Sequence, residues 1–157
     1  MRTGVRVGVD VGRARIGVSR SDPDGMLALP VETVQRTDDG RDVARIRELI
    51  TDFGAVEAVV GLPLSLSGAH TASTDDAVAF ASSVALACGI PVRLVDERLS
   101  TVSAQSALRA SGRTTRNSRS VVDQAAATVI LQHALDAERS SGKPPGDLVD
   151  PSIGPSS

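Results

Sequence analysis

Three segments of the sequence carry carboxylates whose placement could do chemistry. Asp10 closes the run "GVRVGVD", in which valine alternates with glycine or arginine in the manner of a half-buried strand. Asp96 and Glu97 close a second apolar run, "IPVRLVDERLS". Asp123 lies in "SVVDQAAATVILQ", with Ala127, Ile130 and Ala134 at i+4, i+7 and i+11. That spacing puts Asp123 on the apolar stripe of a helix, where an isolated charge is costly unless it is paired, capped or metal-bound. Carboxylates without histidine or cysteine ligands suit a hard cation, Mg²⁺ or Mn²⁺. Two such ions, about 3.5–4 Å apart, can activate water and stabilise the leaving oxygen of a phosphodiester.

Each acid also has an ordinary reading. Asp10 could close a hairpin as a turn residue. Its flanking Gly8 and Gly12 suggest instead that a ligand or a second backbone approaches closely. Asp123 could belong to a capping box with Ser120, a role compatible with a ligand facing the sheet. Asp96 and Glu97 are adjacent and point to opposite faces of an extended strand. Only one can reach a shared site, and spacing leaves open which.

The elements that must position these acids follow from periodicity and turn signals. Three strands come first: "GVRVGVD", "RIGVSRS" after a turn at Gly12–Ala14, and "MLALPVETV" after the turn "DPDG". Pro30 marks the third as an edge strand. A helix over 41–53 presents Val43, Ile46, Leu49, Ile50 and Phe53 on one face and stops at Gly54. "AVEAVVGLP" reads as a buried strand, and a loop, "LSLSGAHTAST", leads to a helix starting at Ser73 or Thr74 and ending at Gly89. The strand before Asp96 follows, then a short helix over 101–110 and a final helix over 120–139. The expected order, βββ-α-β-α-β-α-α, is an α/β fold. It has a five-stranded mixed sheet, three antiparallel strands then two parallel ones, flanked by helices. Right-handed crossovers create a switch point between the first and fourth strands, where open α/β sheets bind ligands. Asp10 and "GLPL" meet there. One domain over 1–139 is expected, with a Pro/Gly/Ser-rich, disordered tail over 140–157.

Bulk properties narrow the function. Net charge is −2, so contact with nucleic acid must come from a local patch. Trp and Tyr are absent and Phe occurs twice, which excludes folds that stack bases on sheet aromatics. One cysteine, Cys88, excludes an internal disulfide, and with only His70 and His133 there is no Cys/His metal cluster. Cys88 reads as a small core residue and both histidines as neutral in function. No signal-peptide core or membrane span is visible, so a cytoplasmic protein without membrane contact is expected. Arg109, Arg113, Arg116 and Arg119 occur with no acid among them, just before Asp123. With Arg13 and Arg15 in the first turn, and Arg98, they are candidates for nucleic-acid backbone contacts, which give salt-sensitive affinity with little sequence readout.

"GVDVGRARIGVS", "VVGLPLSLSG", "DERLSTVSA" and "VDQAAATVILQ" closely resemble the YqgF/RuvX family of RNase H-like nucleases, in the right order from Gly4 to Arg139. The resemblance implies an RNase H-like fold and a nuclease that processes the 5′ end of pre-16S ribosomal RNA, or alternatively resolves Holliday junctions. By motif position it implies Asp10, Glu97 and Asp123 as the catalytic and metal-binding acids, with Glu97 chosen over Asp96. Arg15 matches the family's "RIG" motif. One stretch departs from the pattern: "SLSGAHTASTDDAVAF", after "GLPL", carries no Lys or Arg where relatives often have basic residues. The expected partner is nucleic acid, either ribosomal RNA precursor or branched DNA, and the expected state is a monomer or homodimer. A non-catalytic nucleic-acid-binding factor is the alternative class, but its signature would be a broken acidic set, and the set is intact. A sugar-kinase-like phosphotransferase would need a second, similar domain.

Overall fold

The structure, a computed structural model, describes residues 2–98 and 116–149, the side chains of 116–120 excepted. Strands β1 (Arg6–Val11), β2 (Arg15–Ser21) and β3 (Ala28–Gln35) form an antiparallel meander. Helix α1 (Arg41–Phe53), strand β4 (Glu57–Leu62), helix α2 (Ala72–Cys88) and strand β5 (Val92–Asp96) follow, then helix α3 (Arg116–Ser141) and strand β6 (Asp147–Leu148). The sheet order is β3-β2-β1-β4-β5-β6, with β1, β4 and β5 mutually parallel. The switch point therefore lies between β1 and β4, as the crossover rule requires. Pro30 sits on the edge strand, where its missing N–H costs no ladder bond. The β2–β3 register shifts beside it, between Val18 and Ser19.

Alternation along the strands builds a core on each face of the sheet. On one face, Val7, Val9, Ile16, Val18, Ala58 and Val60 pack against Ile46, Leu49 and Ile50 of α1 and Phe80, Ala81 and Val84 of α2. On the other, Val59 and Val95 pack against Ile130, Leu131, Ala134 and Leu135 of α3. Gly54 and Gly89 end α1 and α2 in the left-handed conformation, at φ 62° and 67°.

Helix α3 lies unusually close to β1 and β2. A Cβ on Gly17 would fall 1.8 Å from the carbonyl oxygen of Asp123. One on Gly8 would fall 2.7 Å from Leu131 Cβ and 2.9 Å from the Ala127 carbonyl oxygen. The Ser19 hydroxyl donates to that same Ala127 carbonyl at 2.8 Å. The glycines of the first hairpin thus serve helix packing and, at Gly12, a tight turn in which its N–H donates to the Arg15 carbonyl at 2.9 Å.

The sequence reading needs correction at three places. The sheet has six strands rather than five, because β6 adds antiparallel to β5. The tail expected to be disordered from residue 140 is built onto the sheet as far as Val149, which is buried and donates its N–H to the Val92 carbonyl at 2.8 Å. Helix α2 begins earlier than Ser73, with Thr71 as its cap in a reciprocal capping box with Thr74. The expected helix over 101–110 lies outside the described residues, as do residues 150–157. No described helix is long and apolar enough to cross a membrane.

At the end of the sheet away from Asp10, a buried ionic network pins the N-terminus. Arg2 bonds both oxygens of Glu57 at 3.0 Å and also reaches Glu138. Arg93 donates to Glu57 at 2.9 Å, and Arg6 stands 3.5 Å from Glu138. Arg6, Glu57 and Glu138 are all buried.

Gly17→Ala is expected to destabilise the fold by about 3 kcal/mol, through overpacking against a helix backbone that cannot yield as a side chain does. Urea unfolding of wild type and variant, compared at the midpoint, measures it.

Candidate active site

Asp10 is the last residue of the α3-facing set on β1, since Gly8 two residues before it faces that helix. Across the antiparallel ladder its partner is Gly17. On the parallel side, the register Val9↔Val60 brings the end of β1 beside Gly61. Gly61 is the floor under a second carboxylate: a Cβ there would fall 2.3 Å from Glu97 Oε2 and 2.7 Å from Ile130 Cδ1.

Parity places Asp96 and Glu97 on opposite faces of the sheet. Val95 is buried in the α3-side core, so Asp96 turns to the opposite face, where it is exposed. Glu97 returns to the face that holds Asp10. Its N–H donates to the Leu62 carbonyl at 3.3 Å, which carries the β4–β5 pairing one residue past the strand end.

Asp123 reaches the same corner from α3. The helix starts at Arg116, so Asp123 lies two turns inside it and the capping reading does not apply. Ala127, Ile130 and Ala134 are buried as the stripe predicts. The Asp123 carboxylate is 17% exposed, and its Oδ2 accepts from Arg15 Nε at 2.7 Å.

Burial is the main force on Asp10. It pushes the pKa from 3.8 up to about 6; a side-chain hydrogen bond with Glu97 opposes the rise, and the charge on Asp123 adds to it. As the side chains stand, no three His, Cys, Asp or Glu among the described residues close around one point. The donor set nevertheless fits a hard divalent cation: all donors are carboxylate oxygens, the ligands such a cation prefers.

The candidate cations divide. Arg13 is exposed at the β1–β2 turn and forms no ion pair with a described residue. It lines a groove of about 510 Å³ with Arg36, Thr71, Ser73 and Asp76. Arg15 is bound to Asp123. Arg98 is bound to Asp96 at 2.5 Å, not to the acids of the site, and its Nη1 donates to the Leu66 carbonyl at 3.3 Å. Arg113 lies outside the described residues, as do the side chains of Arg116 and Arg119. His70 is 65% exposed, 3.9 Å from Asp75, and His133 is exposed.

Arg36 is a residue that sequence reasoning missed. It donates to the Gly12 carbonyl at 2.9 Å and to both oxygens of Asp76, stacks on Phe80 at 5.3 Å, and lies 3.5 Å from Asp42. It ties the hairpin beside Asp10 to the starts of α1 and α2. Nothing near it in the sequence signals this, because Asp76 is 40 residues away.

The raised Asp10 pKa has a defined sign. A carboxyl whose folded pKa exceeds its unfolded value stabilises the fold fully below the unfolded pKa, and loses that contribution as pH rises through the folded one. In the metal-free protein this group should therefore lower stability between about pH 4 and about pH 6. Asp10→Asn should lack that slope. Urea unfolding in EDTA across this range, wild type against variant, measures the difference; parallel curves would refute it.

A profile of the RuvX family, described as Holliday junction resolvase, matches residues 4–137. A protein of Leifsonia xyli subsp. xyli, provisionally named pre-16S rRNA nuclease, is 66% identical over 155 residues, covering 99% of this chain and 100% of the relative. One of Clavibacter michiganensis subsp. michiganensis, with the same name, is 63% identical over 150 residues, covering 95% and 93%. Among solved structures, Thermus thermophilus RuvC matches with a TM-score of 0.54 at 18% identity, over 87% of this chain and 97% of RuvC. RuvC in complex with a Holliday junction substrate gives 0.55 at 20% identity, with the same coverage. Likeness at such identity speaks for the fold, which is RNase H-like. With the family profile spanning nearly every element from β1 to α3, the chain belongs to the RuvX family.

Proposed function

We propose that the chain is a metal-dependent nuclease that hydrolyses phosphodiester bonds in processing the 5′ end of pre-16S ribosomal RNA, in the cytoplasm. The observation that carries this reading is the meeting of Asp10, Glu97 and Asp123 at the switch point of the sheet, from three separate elements. The names of the relatives at 66% and 63% identity support the substrate.

Asp10, Glu97 and Asp123 would hold Mg²⁺ or Mn²⁺, through carboxylate oxygens alone. Such ions supply an activated water and charge stabilisation at the leaving oxygen. The chain's own residues set the conditions. All three carboxyls must be deprotonated to ligate, so the burial that raises Asp10 sets an acid limit on loading. Gly61 gives Glu97 room beside Asp10, and Gly17 brings the Asp123 backbone against β2. Arg13 at the exposed turn, with Arg113, Arg116 and Arg119 ahead of Asp123, would hold the nucleic-acid backbone. Arg98 contributes there only if it leaves Asp96.

A second reading has a specific support. The family's description and the RuvC fold favour cleavage of four-way DNA junctions. That reading needs two copies acting together, because a junction is resolved by paired cuts.

Purified protein should cleave a ribosomal RNA precursor with Mg²⁺ or Mn²⁺, and Asp10→Asn, Glu97→Gln and Asp123→Asn should each lower the rate by more than about 100-fold. A four-way DNA junction assayed in parallel decides between the readings. Salt-sensitive binding without cleavage of either substrate would overturn both and favour a non-catalytic binding factor.

A further inference from the structure

The Arg15–Asp123 pair places a cation on one of the acids that the proposed reaction needs for metal. Resting on the nuclease reading, we infer that Arg15 is a resident counter-ion which competes with the divalent cation for Asp123 and which the substrate phosphate draws away, so that metal and nucleic acid load together.

Three observations and one argument from charge carry this. First, the contact is specific: Arg15 Nε donates to Asp123 Oδ2 at 2.7 Å, with the two side chains 31% and 17% exposed. Second, the two backbones are held in place. Arg15 is the first residue of β2, its carbonyl accepts from Gly12 in the tight turn, and Gly17 on the same strand face packs against the Asp123 carbonyl. The pair therefore opens by side-chain rotation, not by movement of α3. Third, Arg15 uses only Nε on Asp123. Its terminal nitrogens make no hydrogen bond to a described residue, and they stand at a partly exposed rim. A guanidinium presents a planar fork of donors, which suits a phosphate. Fourth, charge decides the order of events. A divalent ion on Asp123 and a guanidinium on the same carboxylate repel each other, and water screens them poorly at a half-buried site. An incoming phosphate relieves that repulsion by offering Arg15 a second anion.

Arg15 acts through Asp123 and is a positioning residue in the free chain. In the complex it becomes a phosphate contact. The rival role is that of a support that merely orients Asp123 for the ion, as hydrogen-bonded neighbours of metal ligands often do. The two roles predict opposite signs. If Arg15 competes, its removal tightens metal binding; if it orients, its removal weakens it.

The test is equilibrium binding of Mn²⁺ to the full chain without nucleic acid, read by the electron paramagnetic resonance of the free ion. Arg15→Gln is expected to bind Mn²⁺ about five- to ten-fold more tightly than wild type, a coupling of ordinary size. Arg15→Lys, which keeps the charge but loses the fork, is expected to fall between them. Melting curves in EDTA establish that each variant is folded. Affinity in Arg15→Gln equal to or below wild type would overturn the proposal in favour of orientation. In a second arm, a fragment of ribosomal RNA precursor is bound in EDTA. Arg15→Gln should weaken that binding several-fold, and unchanged affinity would remove the phosphate half of the inference. Neither arm depends on turnover. Wild type that cleaves no substrate would defeat the nuclease reading while leaving the sign of the Mn²⁺ comparison decisive for Arg15.

Discussion

The arrangement depends on the approach of the α3 backbone to the β1–β2 hairpin. A Cβ at Gly17 would stand 1.8 Å from the Asp123 carbonyl, so this contact exists only because position 17 has no side chain. Gly8 serves the next turn of the same helix, against Ala127 and Leu131. Fixing the helix there fixes the height of Asp123 above the sheet, opposite the strand pair that carries Asp10. The buried Ser19–Ala127 hydrogen bond, 2.8 Å long, holds the register along the axis. A larger residue at either glycine would lift the helix and separate carboxylates from elements more than a hundred residues apart in sequence. Gly61 does the same for Glu97. Small residues thus bring the acids into one corner, and the apolar contacts around them, Ile130 and Leu131 above all, keep the corner from relaxing.

Electrostatics then works against the fold at that corner. Burying Asp10 beside two other acids costs stability, as its pKa near 6 records. Local strain of this kind persists where the surrounding structure over-determines the geometry. Two contacts limit the cost in the free chain: a hydrogen bond with Glu97 opposes the rise at Asp10, and Arg15 takes Asp123. Each also fills a place that a divalent cation would take. Relief of the free state and readiness for metal are thus opposed at the same atoms.

Much of this was legible in the sequence, and the misses have physical causes. Valine alternation and the helical spacing of Ile46, Leu49 and Ile50 gave the strands and α1, because burial on one face imposes those periods directly. Asp123 was legible as a sheet-facing acid for the same reason. Asp96 and Glu97 could not be ranked, since parity needs a reference residue of known face, and Val95 supplies it only once α3 is in place. Gly8 and Gly12 are legible as places where a ligand or a second backbone comes close. At Gly8 it is the helix backbone that comes close, as it is at Gly17, and sequence carries no mark of which of the two fills a space. Strand β6 is two residues long in a Pro- and Gly-rich stretch, and it exists through pairing with β5 rather than through local preference. The Arg36 clamp and the Arg15–Asp123 pair join residues 40 and 108 positions apart, beyond the reach of any local pattern.

The α3-facing side of the parallel strands carries charge at both ends, and the contrast separates a structural role from a functional one. At the lower end stand Arg6, Glu57 and Arg93, with Glu138 on the helix and Arg2 from the N-terminus. Signs alternate there, the acids are buried, and each is bonded by arginine. Such a network is costly to break at one member, yet apolar residues could replace it with little loss of stability. At the upper end the same strands and helix present Asp10, Glu97 and Asp123, and among the described residues the guanidinium of Arg15 is bonded to one of them. The oxygen-only donor set there suits a hard divalent cation, which would balance the charge from outside the chain.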